Sequence, residues 1–347
     1  MEEFLPNSTP ILLGHEQAEK SFLDTFLSGK MHHAWILHGV EGIGKATFAY
    51  KIARFLISGI GDQDGGFLNE TVTSLGLSEN HEVFKTIAAK SCPDLLVVER
   101  EFDEKTGKHK KGIVVDDIRK INEFMHKTSS DGNYRVVIVD GADKMNNNSQ
   151  NAILKVLEEP PAKTVILLTA NNIGAFLPTI KSRCRSLKLD PISQDNISTL
   201  MSKFYPTLTD EDKNKISMLS EGSIGEAMQI QKCDGIQVYE DMLALLSKNI
   251  DAKQVHKFCE EYGYAKNDEK YQLLTTMLEN FFSKKILSIA KNKPMENITG
   301  LEEIILQDAS VESLLSQKEN IEKLISDAEI SNLDRNKILL YIFSTLI

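Results

Sequence analysis

The chain has 347 residues, 41% of them hydrophobic and 26% charged, with a formal net charge of −10. That length supports two or three domains with separate cores. The acidic balance makes the chain a poor stand-alone binder of duplex DNA, because such binding depends on Lys and Arg displacing counterions from phosphates. The N-terminus lacks a basic-then-apolar leader, no apolar run is long enough to span a bilayer, and Cys92, Cys184, Cys233 and Cys259 lie far apart with no C-x-x-C pair. The expectation is a reduced, cytoplasmic protein with neither membrane span nor disulfide framework nor zinc ribbon.

Ala34–His38 is a short apolar run that reads as a buried strand, followed by a Gly-rich turn and a helix from Ala46 to about Leu56. Residues 60–77, rich in Gly, Asp, Asn, Ser and Thr, read as a loop. Leu95–Glu99 is a second strand. The stretch 101–112 carries Lys105, Lys108, Lys110 and Lys111 and reads as a solvated basic loop in preference to a nucleic-acid contact. Val115, Ile118, Ile121 and Met125 recur at three- and four-residue steps, as on an amphipathic helix. Val136–Asp140 is a third strand. A helix over Ala152–Glu159 stops at Pro160-Pro161, since the residue before a proline is pushed out of the α region. Val165–Thr169 is a fourth strand. Near-continuous apolar strands alternating with helices predict an α/β fold with a parallel sheet covered on both faces. The character changes near Pro191: short helices to about Gln231, then a stretch beyond Gly235 almost free of Gly and Pro, read as all-α. The predicted domains are 1–190, 191–235 and 236–347.

Gly39-Val40-Glu41-Gly42-Ile43-Gly44-Lys45-Ala46-Thr47 follows a strand and opens a helix, which is the context of a phosphate-binding P-loop. Glycines let backbone N–H groups wrap an anion, and Lys45 would reach the β- and γ-phosphates. Two expected groups are missing. The Ser or Thr hydroxyl that binds Mg²⁺ is replaced by Ala46, and Thr47 is turned away by about 100°. Asp140 ends the third strand, where an acid holds Mg²⁺ through water, but the adjacent residue is Gly141, which cannot act as a base. Asp143 lies three residues on, beyond the strand. Gly39, Gly42, Gly44, Lys45, Ala46, Thr47 and Asp140 therefore outline a weak or vestigial ATP site, with Mg²⁺ only alongside nucleotide.

Asn151-Ala152-Ile153-Leu154-Lys155-Val156-Leu157-Glu158-Glu159-Pro160-Pro161 and Leu177-Pro178-Thr179-Ile180-Lys181-Ser182-Arg183-Cys184 resemble the paired motifs of bacterial clamp loaders, in the right order and spacing. Leu13-Gly14-His15-Glu16, the P-loop residues 42–47 and Asp140-Gly141-Ala142-Asp143 are similar to the delta-prime subunits of DNA polymerase III; motor subunits of the gamma/tau type carry Asp-Glu at the last of these places. The resemblance is strong over roughly residues 10 to 190 and rests on domain order beyond about 230.

The resemblance implies an AAA+ P-loop domain, a small helical lid and a helical collar that joins five subunits into a ring. It implies gamma/tau and delta subunits, the sliding clamp and primer-template DNA as partners. It makes Arg183 an arginine finger acting in trans on a neighbour's ATP, and sets Lys155 toward the central chamber, near DNA or Asp140. A γ-phosphate sensor falls within Thr169–Asn172. Two departures stand out. In Gly222-Ser223-Ile224-Gly225-Glu226-Ala227, Glu226 occupies the place of a phosphate-contacting arginine. Many relatives carry a four-cysteine zinc module after the P-loop helix, and only Cys92 lies there, so no zinc is expected. The implied role is a non-hydrolysing subunit, with an active gamma/tau-type motor ATPase as the alternative.

Overall fold

In the computed structural model the first half of the chain runs α1 (Glu16–Leu27), β1 (Ala34–His38), α2 (Lys45–Ser58), α3 (Glu82–Ala88), β2 (Leu95–Val98), β3 (Phe102–Asp103), β4 (Lys108–His109), α4 (Val115–Met125), β5 (Arg135–Val139), α5 (Asn147–Glu158), β6 (Thr164–Ala170), α6 (Pro178–Lys181) and β7 (Arg185–Lys188). Helices follow: α7 (Gln194–Phe204), α8 (Asp210–Leu219), α9 (Ile224–Lys232), α10 (Gly235–Leu246), α11 (Ala252–Gly263), α12 (Asp268–Lys291), α13 (Val311–Ser331) and α14 (Arg335–Leu346). The structure describes residues 4–60, 72–103, 108–109, 112–125, 127, 129, 132–247, 252–264, 268–302, 305–306, 309–331 and 333–346. Two units divide the chain: Met1–Asn196 with Ser223–Gly225, and Ile197–Gly222 with Glu226–Ile347.

The first unit is built on a five-stranded sheet in the order β2-β5-β6-β1-β7, parallel throughout. Alternation along the central strands feeds two cores. Trp35, Leu37, Val136, Ile138, Val165 and Leu167 pack on one face with Phe22 of α1 and Phe48, Ile52 and Phe55 of α2. Ile36, Val137, Val139, Ile166 and Leu168 pack on the other with Ile118 and Ile121 of α4 and Ile153, Val156 and Leu157 of α5. Strands buried on both faces need apolar residues at every position, which is why these runs carry no polar alternation and were legible as a sheet core.

Three local differences from the sequence reading have physical causes. Helix α2 begins at Lys45 and ends at Ser58, where Gly59 takes the left-handed conformation (φ 67°) that stops a helix. Part of the basic stretch 101–112 pairs as the antiparallel ribbon β3–β4; Lys105, Lys110 and Lys111, and most of the loop predicted over 60–77, lie outside the described residues. Strand β7 has no apolar run to reveal it. It is an edge strand in which only Leu187 is buried, and its order comes from pairing with β1.

The segment before α1 is pinned to α2 by Arg54. Its Nη1 donates to the carbonyl of Thr9 (3.0 Å), and its Nη2 to those of Asn7 (2.7 Å) and Pro6 (3.3 Å). Its guanidinium also lies 4.3 Å from the centre of the Phe84 ring, a favourable cation–π distance. Burial pulls the arginine down to about 10.

The second unit is helical among its described residues. Phe258 of α11 meets Phe343 of α14 edge-on, with ring centres 5.0 Å apart. Tyr262 donates to Asp241 of α10 (2.7 Å). Buried Lys285 of α12 donates to the Glu302 carbonyl (3.1 Å), and the Glu302 carboxylate accepts from the backbone N–H groups of Ile298 and Thr299.

Replacing Arg54 with leucine strands three backbone carbonyls and is expected to cost about 3 kcal/mol; urea unfolding of the two proteins checks it, and a loss below about 0.5 kcal/mol would refute the pinning role.

Candidate functional site

Parallel strands bring their carboxyl ends to one rim of the sheet, and α/β proteins bind ligands there. At that rim β1 runs into the P-loop, β5 into Asp140 and β6 into Asn171. The Gly39 N–H donates to the Ala170 carbonyl (3.2 Å), tying the loop's entry to β6. His15, buried, sits with Nε2 2.6 Å from the Ile43 carbonyl. Burial holds the imidazole below its usual range, so the neutral ring donates from Nε2 and braces the loop from the α1 side. In the sequence, His15 stands out only within the Leu13-Gly14-His15-Glu16 resemblance. A lone histidine carries no sign of which carbonyl it will meet.

Lys45 is 7% exposed. Its ammonium donates to the loop's own carbonyls, Gly39 (3.0 Å) and Val40 (2.5 Å). Burial lowers its pKa, opposed by the negative charges of Glu41, Asp140 and Asp143. Gly42 is held closely: a Cβ there would lie 2.2 Å from Ser223 Oγ, and the Gly42 carbonyl accepts from the Gly225 N–H at 2.9 Å. Ser223–Gly225 therefore rest on the middle of the P-loop, and no side chain other than hydrogen fits between them. Ala46 and Thr47 lie in the first turn of α2, directly after Lys45, and Ala46 brings no hydroxyl.

Asp140 accepts a short hydrogen bond from Thr169 Oγ1 (2.5 Å), and the same oxygen accepts from the Gly141 N–H (2.9 Å). Within the range left open for a sensor, Thr169 thus joins Asp140, while Asn171 Nδ2 donates to Glu41 of the P-loop (3.0 Å). Gly141 has φ 69° and opens a single 3-10 turn over Ala142–Lys144. Left-handed backbone costs roughly 1 kcal/mol for a residue with a Cβ, so this turn is shaped for glycine and a glutamate would be strained. The Asp143 side chain is almost fully buried. Among the described residues no cluster of three or more His, Cys, Asp or Glu side chains is arranged to hold a metal ion. Cys184 is half-buried, and burial pushes its thiol up to about 12.

Arg183 lies elsewhere. β7 pairs in parallel with β1, Arg185 opposite Trp35 and Lys188 opposite His38. Arg183 precedes β7, whereas the P-loop follows β1, so the two occupy opposite rims of the sheet. The guanidinium is half-exposed: Nη2 pairs with Glu158 Oε1 (2.8 Å), and Nη1 donates to the Thr179 carbonyl (3.0 Å). Lys155 is exposed on α5, in a stripe with Asn148 and Asn151.

One residue absent from the sequence reading connects these parts. Buried Gln150 donates from Nε2 to the carbonyls of Met145 (3.2 Å) and Ala175 (3.0 Å), and its Oε1 accepts from the Leu177 N–H (2.8 Å). Polarity at a helix position is all the sequence displays of it.

Comparison with known proteins matches residues 14–193 to the family described as DNA polymerase III, delta subunit. The chain belongs to that family. Among curated relatives of this clamp-loader subunit, the delta' subunit of Pseudomonas aeruginosa is 36% identical over 152 residues, covering 44% of this chain and 41% of its own. The Escherichia coli delta' subunit is 25% identical over 254 residues (73% and 71%). The gamma subunit of Buchnera aphidicola from Schizaphis graminum is 27% identical over 288 residues (82% and 70%). Among solved structures, a gamma-subunit-related protein of Thermotoga maritima aligns over 94% of this chain and 98% of its own, at 19% identity and a TM-score of 0.42. No helix among the described residues is long and apolar enough to cross a membrane.

Glu226, in the first turn of α9, is pushed up to about 7, by burial first and by Glu221 second, with Lys284 opposing. The charge that the sequence sets in this segment is therefore only partial at neutral pH. The folded value lies above the ordinary glutamate value of 4.5, so the fold disfavours the ionised form. This group costs nothing below pH ~4.5, and stability is lost as pH rises from there to about 7. Glu226→Gln is expected to stabilise the protein at pH 8 by on the order of 1–2 kcal/mol and to give no gain near pH 4.5. Denaturant unfolding at both pH values checks this, and a gain independent of pH would refute it.

Proposed function

We propose that this chain is a non-hydrolysing, delta-prime-type subunit of a DNA polymerase III clamp loader, and that Arg183 acts in trans on ATP held by a neighbouring motor subunit. The observation that carries the reading is the position of Arg183 at the rim opposite its own P-loop. A guanidinium there cannot reach a phosphate held by Lys45 of the same chain, yet it is half-exposed and stands on the surface. Delivered from outside, a positive charge stabilises the charge that develops on a transferring phosphoryl group.

The chain's own site supports the same division of labour. Hydrolysis needs a positioned base and a metal. Gly141 provides no base and is shaped for a left-handed turn; Ala46 provides no metal-binding hydroxyl. If nucleotide binds, Lys45 and the N–H groups of residues 39–45 would hold its phosphates and Asp140 would face its Mg²⁺. A Mg²⁺ held there would supply charge neutralisation to the phosphates. Lys45 would first have to leave the carbonyls of Gly39 and Val40, which weakens binding. We read the pocket as weak or vestigial and assign it no zinc.

The partners in this reading are gamma/tau and delta subunits, the sliding clamp and primer-template DNA inside the assembly. Lys155, with Asn148 and Asn151, is the surface offered to DNA. The alternative, a gamma-type motor ATPase, draws on the long alignments to gamma subunits; Gly141 and Ala46 weigh against it.

The isolated chain with Mg-ATP and primed DNA is expected to give no turnover above background. In the reconstituted clamp loader, Arg183→Ala should lower ATP hydrolysis by the partner subunits roughly a hundredfold or more. Strong turnover by the chain alone, abolished by Lys45→Ala, would overturn the proposal, as would undiminished partner hydrolysis with Arg183→Ala.

A further inference from the structure

We propose that Glu158 is a positioning residue for Arg183, holding the guanidinium in the orientation from which it meets a phosphoryl group in trans. The inference rests on the finger reading of Arg183 and assigns a role to a second residue.

Glu158 is the last residue of α5, just before Pro160-Pro161, and Arg183 follows α6. The two are 25 residues apart in sequence and meet at 2.8 Å. The guanidinium is bracketed from two directions. Glu158 takes Nη2, while the Thr179 carbonyl (3.0 Å) and Ser182 Oγ (3.4 Å) take Nη1. Guanidinium has five N–H donors, so these bonds leave donors for an incoming anion.

Stability does not explain the pair. The side chains are 35% and 49% exposed, and ion pairs of that kind contribute only about 0–1 kcal/mol. Orientation does explain it. An unrestrained arginine carries about 2 kcal/mol of rotamer entropy, which must be lost when its guanidinium is fixed in a transition state. A carboxylate that fixes it beforehand removes part of that loss from the barrier. The neighbouring Glu159 has the same charge and is also exposed, but its recorded hydrogen bond is the helix-closing one from its N–H to the Lys155 carbonyl (3.2 Å). It serves as the control for net charge.

The experiment uses the clamp loader reconstituted with its partner subunits, primed DNA and varied ATP. Glu158→Gln should lower kcat of partner hydrolysis about five- to tenfold and change KM for ATP less than about twofold. Glu159→Gln should leave both within about twofold of the parent. In the decisive arm, Glu158→Gln added to Arg183→Ala should cause no further loss, because a positioning residue acts only through the group it positions. The inference is overturned if Glu158→Gln leaves kcat unchanged while Arg183→Ala depresses it; the finger reading then survives alone. It is also overturned if Glu158→Gln lowers kcat by the same factor with and without Arg183. An Arg183→Ala complex of full activity removes both readings together. Unfolding of the isolated Glu158→Gln chain, unchanged within about 0.5 kcal/mol, separates these outcomes from misfolding.

Discussion

Gln150 is buried, so each of its polar atoms must find a partner inside the protein. The partners it finds belong to the turn before α5 and to the 175–177 segment after β6. An unsatisfied buried amide costs about 1–3 kcal/mol, and that penalty fixes the loop against the helix. Helix α6 starts directly after this junction, and Arg183 follows α6 with only Ser182 between. The place of the guanidinium is thus inherited from an amide at the other end of α5. The Glu158 contact closes the same structure from the far end. The two motifs that look independent in the sequence are one mechanical unit in the fold.

The opposite rim obeys a different constraint. The negative charges of three carboxylates, Glu41, Asp140 and Asp143, act on one buried ammonium. Desolvation disfavours the charge on Lys45 and the carboxylates favour it. The ammonium settles on the carbonyls of its own loop, and Asp140 on Thr169. Ser223–Gly225 rest on Gly42 with no space between. Lys45 and Asp140 thus find hydrogen-bond partners within the chain, while Asp143 Oδ1 is buried without one.

Legibility followed burial. Strands β1, β5 and β6 were readable because strands covered on both faces are near-continuously apolar. β7 was not, because an edge strand keeps polar residues on its open side and is ordered by its neighbour. The P-loop was readable because phosphate wrapping demands glycines at fixed spacing. His15, Gln150 and Thr169 were not, because each acts through a partner 25 to 29 residues away along the chain, and a side-chain hydrogen bond leaves no periodic trace. Glu226 was legible as an acid, but its partial charge comes from desolvation beside Glu221, which composition does not record.

The sequence by itself determined which chemical groups exist: a lysine and glycines for phosphate, an alanine and a glycine where a metal ligand and a base would stand, an arginine after Ser182. Side-chain chemistry is local, so a list of residues is enough to show which groups the chain can and cannot bring to a site. Only the tertiary structure decided where those groups point. Parallel pairing of β1 with β7 sets Arg183 and Lys45 on opposite rims, and the ends of α5 and α6 bring Glu158 to Arg183. Such direction arises from sheet register and helix packing, in which residues far apart in the chain share one space, and no local pattern encodes it.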